Sequence, residues 1–267
     1  MQNTTSLTDL TKTESKFAQT LFSALQTQTK LDEQKYKDLV TDDDSGYRVQ
    51  YALTQLKNEP VAGYKVSLTS KQTQDMFDAD SPLYGAEVKH QWLKSPANVK
   101  LTDLMEPLVE VELVFTAKSD LSPEDSVEDL LQKTTVAPAL ELPDARFNDW
   151  FPSLSKLMVM SDNAVAGRVV FGNEVDSSNF TVDDLSRVHA ELKLNDKSLA
   201  AGDSSEVLGN PLNSLQWLVK KLDSQGLTLR TGQRVSSGTF VLPPHLEAGH
   251  YTCHFTSGLG NVDLQVK

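Results

Sequence analysis

Two glutamates, Glu110 and Glu112, stand two positions apart in the otherwise apolar segment of residues 108–115. This alternation is typical of a β-strand, in which successive side chains point to opposite faces. The two carboxylates would then share one face, with their attachment points about 7 Å apart. Like charges this close repel each other, and a divalent cation that binds several carboxylate oxygens relieves the repulsion.

Glu141, at the end of the strand-like residues 136–141, is a third candidate ligand. Three carboxylates and water molecules could form an octahedral site for Mg²⁺ or Mn²⁺ that leaves positions free for a chelating substrate. The same Glu-x-Glu spacing also occurs on an ordinary strand face in contact with solvent. The spacing of the glutamates alone therefore leaves a metal site and a solvated face both open.

Lys65 lies in the first strand-like segment of the chain, residues 61–68, among apolar or small neighbours. A lysine in such a segment either extends its amine to solvent or provides a cation inside a pocket. A position opposite metal-bound carboxylates would favour the second alternative.

Several polar residues farther along the chain are candidate substrate contacts. Arg146 could hold a carboxylate through two parallel hydrogen bonds, or it could balance Asp144 at the surface. Asp162 and Asn163 form a polar turn whose side chains either bond the local backbone or contact a substrate. Small residues that allow a backbone to approach a ligand occur in two segments: Gly209-Asn210-Pro211 and Ser236-Ser237-Gly238-Thr239.

The elements that would carry these residues follow from the periodicity of the apolar positions. Residues 17–25 have helical spacing, and a second helical pattern over residues 49–56 ends at or before Pro60. Ser122-Pro123 predicts a further helix start, and residues 211–225 predict a helix that stops at Gly226. Strand-like segments are predicted at residues 61–68, 108–115, 136–142, 165–171, 188–194, 235–242, 250–255 and 262–266.

This order predicts an α+β protein with two regions. Residues 1–60 would form a small N-terminal helical cap, and residues 61–267 a β-rich catalytic domain. The regular strand spacing favours a mixed sheet in a roll, sandwich or barrel over a doubly wound sheet.

Composition restricts the classes of function. The 267 residues include 25 basic and 37 acidic side chains, and the net charge of −12 argues against nucleic acid or an anionic membrane as partner. The single cysteine, Cys253, cannot form an intramolecular disulfide, which suits a reducing compartment. No signal peptide is visible, and no apolar run approaches the roughly 20 residues that span a bilayer, so we expect a cytoplasmic protein.

The sequence lacks the signature motifs of serine hydrolases, P-loop proteins, dinucleotide-binding folds and zinc proteases. His250 and His254 are four residues apart, but in a strand that spacing does not bring two ligands to one metal. Metal chemistry on carboxylates is the remaining hypothesis.

Taken together and in order, the motifs resemble the fumarylacetoacetate hydrolase superfamily. The nearer likeness is to its branch of 2-keto-4-pentenoate (2-hydroxypenta-2,4-dienoate) hydratases and 4-oxalocrotonate decarboxylases, and it runs from about residue 15 to the C-terminus. The residues that carry it are Gly63 to Lys71, Tyr84-Gly85, Glu110-Val111-Glu112, Pro138-Ala139-Leu140-Glu141, Asp144-Ala145-Arg146, Asp162-Asn163-Ala164, Leu208-Gly209-Asn210-Pro211, Ser237-Gly238-Thr239 and Gly258-Leu259-Gly260.

The resemblance implies a mixed β-roll, a homo-oligomer and a small 2-oxo acid as substrate. It implies that Glu110, Glu112 and Glu141 hold Mg²⁺ or Mn²⁺, which would stabilise the dienolate that forms in either reaction. Lys65, with a pKa lowered by the metal and a dry pocket, would transfer the proton. The implied substrate-binding residues are Ser67, Leu68, Arg146, Asp162, Asn163, Ser237 and Thr239.

Two positions depart from the pattern of the hydratases. Leu83 stands where they typically carry an acid, which favours a decarboxylase, and Ser67 replaces a usual glycine. A metal-dependent hydratase is the first hypothesis and a decarboxylase on the same scaffold the second. The others are an acylpyruvate-type C–C hydrolase, whose catalytic His/Glu pair is not evident, and a 2-oxo-acid binder without turnover.

Overall fold

A computed structural model of the chain describes residues 6–267. Its α-helices are α1 (Lys12–Thr27), α2 (Asp43–Leu56), α3 (Lys71–Met76), α4 (Val127–Gln132), α5 (Trp150–Ser153), α6 (Lys156–Ser161), α7 (Val182–Leu185) and α8 (Pro211–Ser224). Its strands are β1 (Val61–Ser67), β2 (Leu83–Val88), β3 (Trp92–Lys94), β4 (Ala97–Val99), β5 (Glu110–Ala117), β6 (Thr134–Leu142), β7 (Arg168–Phe171), β8 (Val175–Asp176), β9 (His189–Leu194), β10 (Lys197–Asp203), β11 (Arg234–Ser236), β12 (Gly249–Phe255) and β13 (Gly260–Val266). Single 3₁₀ turns lie at Glu33–Lys35, Lys37–Leu39, Lys89–Gln91, Leu101–Asp103, Asn163–Val165, Ser177–Asn179 and Ser204–Glu206.

Two mixed sheets form the framework. Within the described residues the larger sheet has eight strands in the order β2-β1-β11-β5-β6-β7-β3, with β8 paired to β6. The smaller sheet has five strands in the order β10-β9-β12-β13-β4. Most neighbours are antiparallel, but β1 pairs in parallel with β11, β3 with β7 and β4 with β13. The predicted α+β class with a mixed β core is confirmed.

The two N-terminal helices begin at side-chain caps. Thr11 and Asp42 accept hydrogen bonds from backbone amides in the first turns of α1 and α2. The Gln50 side chain of α2 donates to the carbonyls of Tyr84 and Met160, at 2.8 and 2.9 Å. Apolar residues of both helices join the sheet residues in one buried cluster. The helices therefore share the core of the β-rich region, and the domain division at residue 60 stays a prediction.

Three local predictions are wrong. Residues 122–125 form a turn, and α4 begins after Ser126, which caps it through a hydrogen bond from the Asp129 amide. Residues 163–165 form a 3₁₀ turn, so β7 begins only at Arg168. The segment predicted as a strand over residues 235–242 is a regular strand only at β11, and its backbone then turns at Gly238 with φ +112°. Among the described residues, no helix is long and apolar enough to cross a membrane.

Candidate metal centre and active site

The three glutamates lie together on one face of the larger sheet. Glu110 and Glu141 are directly opposite each other in the antiparallel pairing of β5 with β6. Glu112 lies two residues farther along β5 and so projects from the same face. Each residue offers a carboxylate oxygen within 4.8 Å of the others. Glu112 and Glu141 are fully buried and Glu110 is partly buried, so the alternative of a solvated strand face is excluded.

The oxygens of this cluster are only partly satisfied by the protein. Glu112 Oε2 accepts hydrogen bonds from Ser236 Oγ at 2.5 Å and from the Gly238 amide at 2.9 Å. Glu112 Oε1 and Glu141 Oε2 are buried, and neither has a hydrogen-bond partner among the described residues. Buried carboxylate oxygens without partners are costly, and hard divalent cations prefer such ligands. The donor set therefore fits Mg²⁺ or Mn²⁺.

Lys65 is the buried cation of this cluster. Its Nζ lies 2.9 Å from Glu141 Oε1 in an ion pair whose side chains are almost inaccessible. It also donates to Ser67 Oγ at 2.6 Å and to the Ala164 carbonyl at 3.1 Å. Three ionised carboxylates and one ammonium leave two negative charges in excess, which a divalent cation would balance.

The expected lowering of the Lys65 pKa is not found beside the bare carboxylates. Burial acts to lower this pKa, but the charges of Glu141, Glu110 and Glu112 outweigh burial and raise it. A cation on the carboxylates would cancel that attraction. We therefore expect the pKa of Lys65 to be lower when the three glutamates carry a metal.

Burial raises the pKa values of Glu110, Glu112 and the nearby Glu87. Burial, followed by the neighbouring Glu141 charge, raises the pKa of Glu110 to about 8, and the same causes raise the pKa of Glu112 well above its ordinary range. Glu87, fully buried on β2, has neither oxygen hydrogen-bonded among the described residues. Burial, again followed by Glu141, raises the pKa of Glu87 to about 8.

A strained turn supplies the carbonyl that binds Lys65. Asn163, Ala164 and Val165 all have positive φ, between 51° and 53°. This backbone conformation is costly for residues other than glycine. Gly85 packs against this turn so closely that an added Cβ would lie 1.9 Å from the Asn163 carbonyl oxygen. The glycine of the Tyr84-Gly85 motif is thus required by close approach of the backbone.

A narrow pocket opens above Lys65 and Glu110. Its polar lining includes Ser67 and Thr239, and its larger apolar part comprises Val66, Leu68, Phe77, Pro143, Trp150, Phe151, Val159, Val165 and Pro243. Its cavity volume is about 40 Å³, so it is a small and mostly apolar pocket.

The predicted substrate-binding residues fall into two groups. Ser67, Leu68 and Thr239 line the pocket beside Lys65, and Leu68 has a φ of +58°. Ser237 is buried next to Gly238, and its hydroxyl has no hydrogen-bond partner in the described chain.

Arg146, Asp162 and Asn163 do not line this pocket. The Arg146 Nε donates to Asp162 Oδ1 at 2.5 Å, and its other nitrogens donate to the carbonyls of Ala166 and Asp162. Asn163 Nδ2 donates to Thr54 Oγ1 at 2.7 Å. The guanidinium is thus fully engaged within the protein.

Loss of this buried ion pair should destabilise the fold. Both side chains are at most 4% exposed, so Asp162→Ala leaves the Arg146 charge buried without its partner. We expect a decrease in the free energy of unfolding of about 3–5 kcal/mol, measured by urea denaturation. Asp183→Ala, which breaks a solvent-exposed pair with Arg187, is the control and should change little. An equal effect of both substitutions would contradict a structural role for Asp162.

The sequence analysis named Ser236 only as a small residue near a ligand, and it did not predict the contact of Ser236 with Glu112 or the residues that close the pocket. Ser236, which binds Glu112, pairs with Lys65 across the parallel strands β1 and β11, but nothing in the sequence reveals that register. The aromatic wall of Phe77, Trp150 and Phe151 lies outside the quoted motifs. Only the tertiary fold brings these residues to the site.

Comparison with known proteins agrees with the resemblance in the sequence, although no family model matches the chain. The chain is 30% identical over 253 residues to 2-keto-4-pentenoate hydratase of Paraburkholderia xenovorans LB400, covering 92% of this chain and 91% of the relative. It belongs to the fumarylacetoacetate hydrolase superfamily, in the hydratase and decarboxylase branch. A second relative in this branch, 2-hydroxyhexa-2,4-dienoate hydratase of Comamonas testosteroni, is 30% identical over 218 residues, covering 80% of this chain and 81% of the relative.

The fold is shared with a solved member of the same branch. The 4-oxalocrotonate decarboxylase of Pseudomonas putida G7, solved in complex with magnesium and adipate, superimposes with a TM-score of 0.89 at 21% identity. The match covers 97% of this chain and 99% of the decarboxylase.

Ser67 and Leu83, the two residues of this chain that depart from the hydratase pattern, lie next to each other on neighbouring strands. Ser67 and Leu83 are register partners in the antiparallel pairing of β1 with β2. Leu83 is 1% exposed and belongs to the apolar core, whereas the Ser67 hydroxyl accepts the hydrogen bond from Lys65. Ser67 on β1 thus provides a polar partner for Lys65, whereas its register partner Leu83 on β2 is apolar.

Proposed function

We propose that this protein is a Mg²⁺- or Mn²⁺-dependent lyase that adds water to a small 2-hydroxydienoic (2-oxo) acid, in the manner of 2-keto-4-pentenoate hydratases. The convergence of three buried carboxylates beside the buried amine of Lys65 carries this proposal. The names of the relatives at 30% identity support the hydratase reaction.

Each group of the site has a role in this proposal. Glu110, Glu112 and Glu141 hold the cation, which would supply positive charge to polarise the 2-oxo group. Lys65 Nζ, at the base of the pocket, delivers or removes a proton. Ser67 and Thr239, with the Leu68 backbone and Ser237 nearby, orient the acid group, and the aromatic wall excludes bulk water.

We propose a positioning role for Arg146, Asp162 and Asn163. Hydrogen bonds of Asp162 and Asn163 anchor the start of the strained turn, and a hydrogen bond from Arg146 to the Ala166 carbonyl anchors its end. The turn in turn presents the Ala164 carbonyl to Lys65. They would therefore act on the substrate only through the orientation of the lysine.

A decarboxylase on the same site is the second candidate. Leu83 favours it, because a buried leucine across from Ser67 removes one acid that could activate water.

The location in the cytoplasm, the homo-oligomer and the domain boundary stay predictions.

Loss of dienoate absorbance on mixing with 2-hydroxypenta-2,4-dienoate tests the proposed function. We expect turnover with Mg²⁺ or Mn²⁺, no turnover after chelation, and recovery when either metal is restored. Turnover that persists undiminished in excess chelator would contradict the metal-dependent lyase.

Metal removal should make stability depend on pH. In the unfolded chain Glu110 and Glu87 lose their protons near the ordinary pKa of 4.5, but in the fold these pKa values rise to about 8. Between those values the folded state binds more protons, so raising the pH favours unfolding. We expect the melting temperature of the chelated protein to fall from pH 5 to pH 8.

Added Mg²⁺ should raise the melting temperature more at pH 8 than at pH 6, since the metal requires ionised carboxylates. Glu110→Gln is the control for the chelated protein, because it removes one of the titrating groups and should reduce the slope with pH. A Mg²⁺ effect that is larger at pH 6 would contradict the assignment of these ligands.

A further inference from the structure

The lining of the pocket combines charged and aromatic groups. Lys65 and Glu110 form its charged end, together with the hydroxyls of Ser67 and Thr239. Phe77, Trp150 and Phe151 form its aromatic end, in which the Phe151 ring lies 5.5 Å from the Trp150 ring and 6.2 Å from the Phe77 ring between centroids. The indole nitrogen of Trp150 already donates to the Glu106 carbonyl, at 2.8 Å.

Within the described part of the chain, Lys65 is the only cationic residue that lines the pocket. Arg146, the arginine of the Asp144-Ala145-Arg146 motif, donates its hydrogen bonds to Asp162 and to backbone carbonyls. Nothing among the residues of the lining could therefore pair with a second carboxylate at the aromatic end. A carboxylate buried there would lose its hydration without compensation.

The adjoining cavity also disfavours a second negative charge. This cavity, of about 510 Å³, shares Thr73 and Thr239 with the pocket and carries Asp203 and Glu206 in its lining. No lysine or arginine of the described chain lines it. A dianionic ligand would meet apolar rings on one side and acidic side chains on the other.

We propose that the site selects 2-oxo acids with an uncharged, apolar distal group and rejects 2-oxo dicarboxylic acids. This inference rests on the proposed function for the orientation of the acid, with its 2-oxo-carboxylate end at Lys65 and the glutamates. The aromatic cluster then contacts the far end of the ligand. Phe77, Trp150 and Phe151 are the specificity-determining residues.

Binding of saturated, non-reacting acids tests the selectivity separately from turnover. With the Mg²⁺-loaded full-length protein, isothermal titration should give a dissociation constant for 2-oxohexanoate about 100-fold or more below that for 2-oxoadipate. Equal affinities, or tighter binding of 2-oxoadipate, would overturn the inference. Tight, selective binding without turnover of any dienoate would sustain it while refuting the proposed lyase.

Phe151 is the partly exposed residue of the aromatic cluster, so it can be substituted there without burying a charge completely. Phe151→Arg supplies the missing cation, and we expect it to reduce the preference for 2-oxohexanoate at least about 10-fold. Phe151→Leu is the matched control and should keep the preference of the wild type. If Phe151→Arg, shown by its melting curve to be folded, leaves the ratio of dissociation constants unchanged, the aromatic end does not contact the distal group and the inference fails.

Discussion

Replacement of Glu141 by glutamine should reduce kcat/KM at least about 1,000-fold and weaken Mg²⁺ binding at least about 100-fold. Glu141 is fully buried, lies opposite Glu110 and forms the ion pair with Lys65, so the substitution removes a ligand charge and a lysine partner together. Loss of a supporting partner alone typically costs a metal site 10- to 100-fold in affinity. Loss of a ligand that also holds the catalytic lysine should exceed that range.

Titration of Mg²⁺ and Mn²⁺ into the purified variant measures the loss of metal affinity, and steady-state turnover measures the loss of kcat/KM. Glu110→Gln and Glu112→Gln should weaken metal binding in the same direction. The matched control is Glu128→Gln, an exposed glutamate on α4, which should behave as wild type. Metal affinity equal to that of the wild type in all three site variants would show that the metal lies elsewhere.

Lys65→Met should lower kcat about 100- to 10,000-fold, the range of a lost general acid or base. Methionine fills a similar volume in a position that is 1% exposed, so the substitution removes the charge while keeping most of the packing. Metal affinity should be retained or increased, because the ammonium that competes with the cation for Glu141 is gone. The separation of these two effects distinguishes a proton-transferring lysine from one that merely supports the metal.

The control for this substitution is Lys71→Met, because the wild-type Lys71 side chain is 81% exposed and its partner is Asp75 at the surface. Its kcat should stay at the wild-type value. The limb of the pH–rate profile that Lys65 determines should disappear in Lys65→Met and persist in Lys71→Met. If the Lys65→Met variant had the wild-type kcat, Lys65 would have no role in the reaction.

Much of the fold could be predicted from local pattern. The alternation of apolar residues around Glu110 and Glu112 is determined by one strand and its buried face, so β5 and the shared face of the two carboxylates follow from the sequence. The amphipathic patterns likewise identified α1, α2 and α8. These features depend on neighbours within one element.

Features that depend on pairing between distant segments could not be predicted. β2 and β10 were missed: β2 is buried along its whole length and β10 is largely exposed, so neither shows clear alternation. The sequence also does not show that Asp162 binds Arg146, and the substrate-binding role of Arg146 stays a prediction. The raised pKa of Lys65 follows from three carboxylates whose approach only the sheet register determines.

Identification of the reaction product tests the central claim most directly. The purified protein with Mg²⁺ should be incubated with 2-hydroxypenta-2,4-dienoate and, separately, with 2-oxohex-3-enedioate, and the products followed by NMR. Metal-dependent hydration predicts 4-hydroxy-2-oxopentanoate from the first acid, without release of CO₂. Release of CO₂ from the second acid with no hydration of the first would establish the decarboxylase instead, and no product from either acid would contradict both lyase assignments for these substrates.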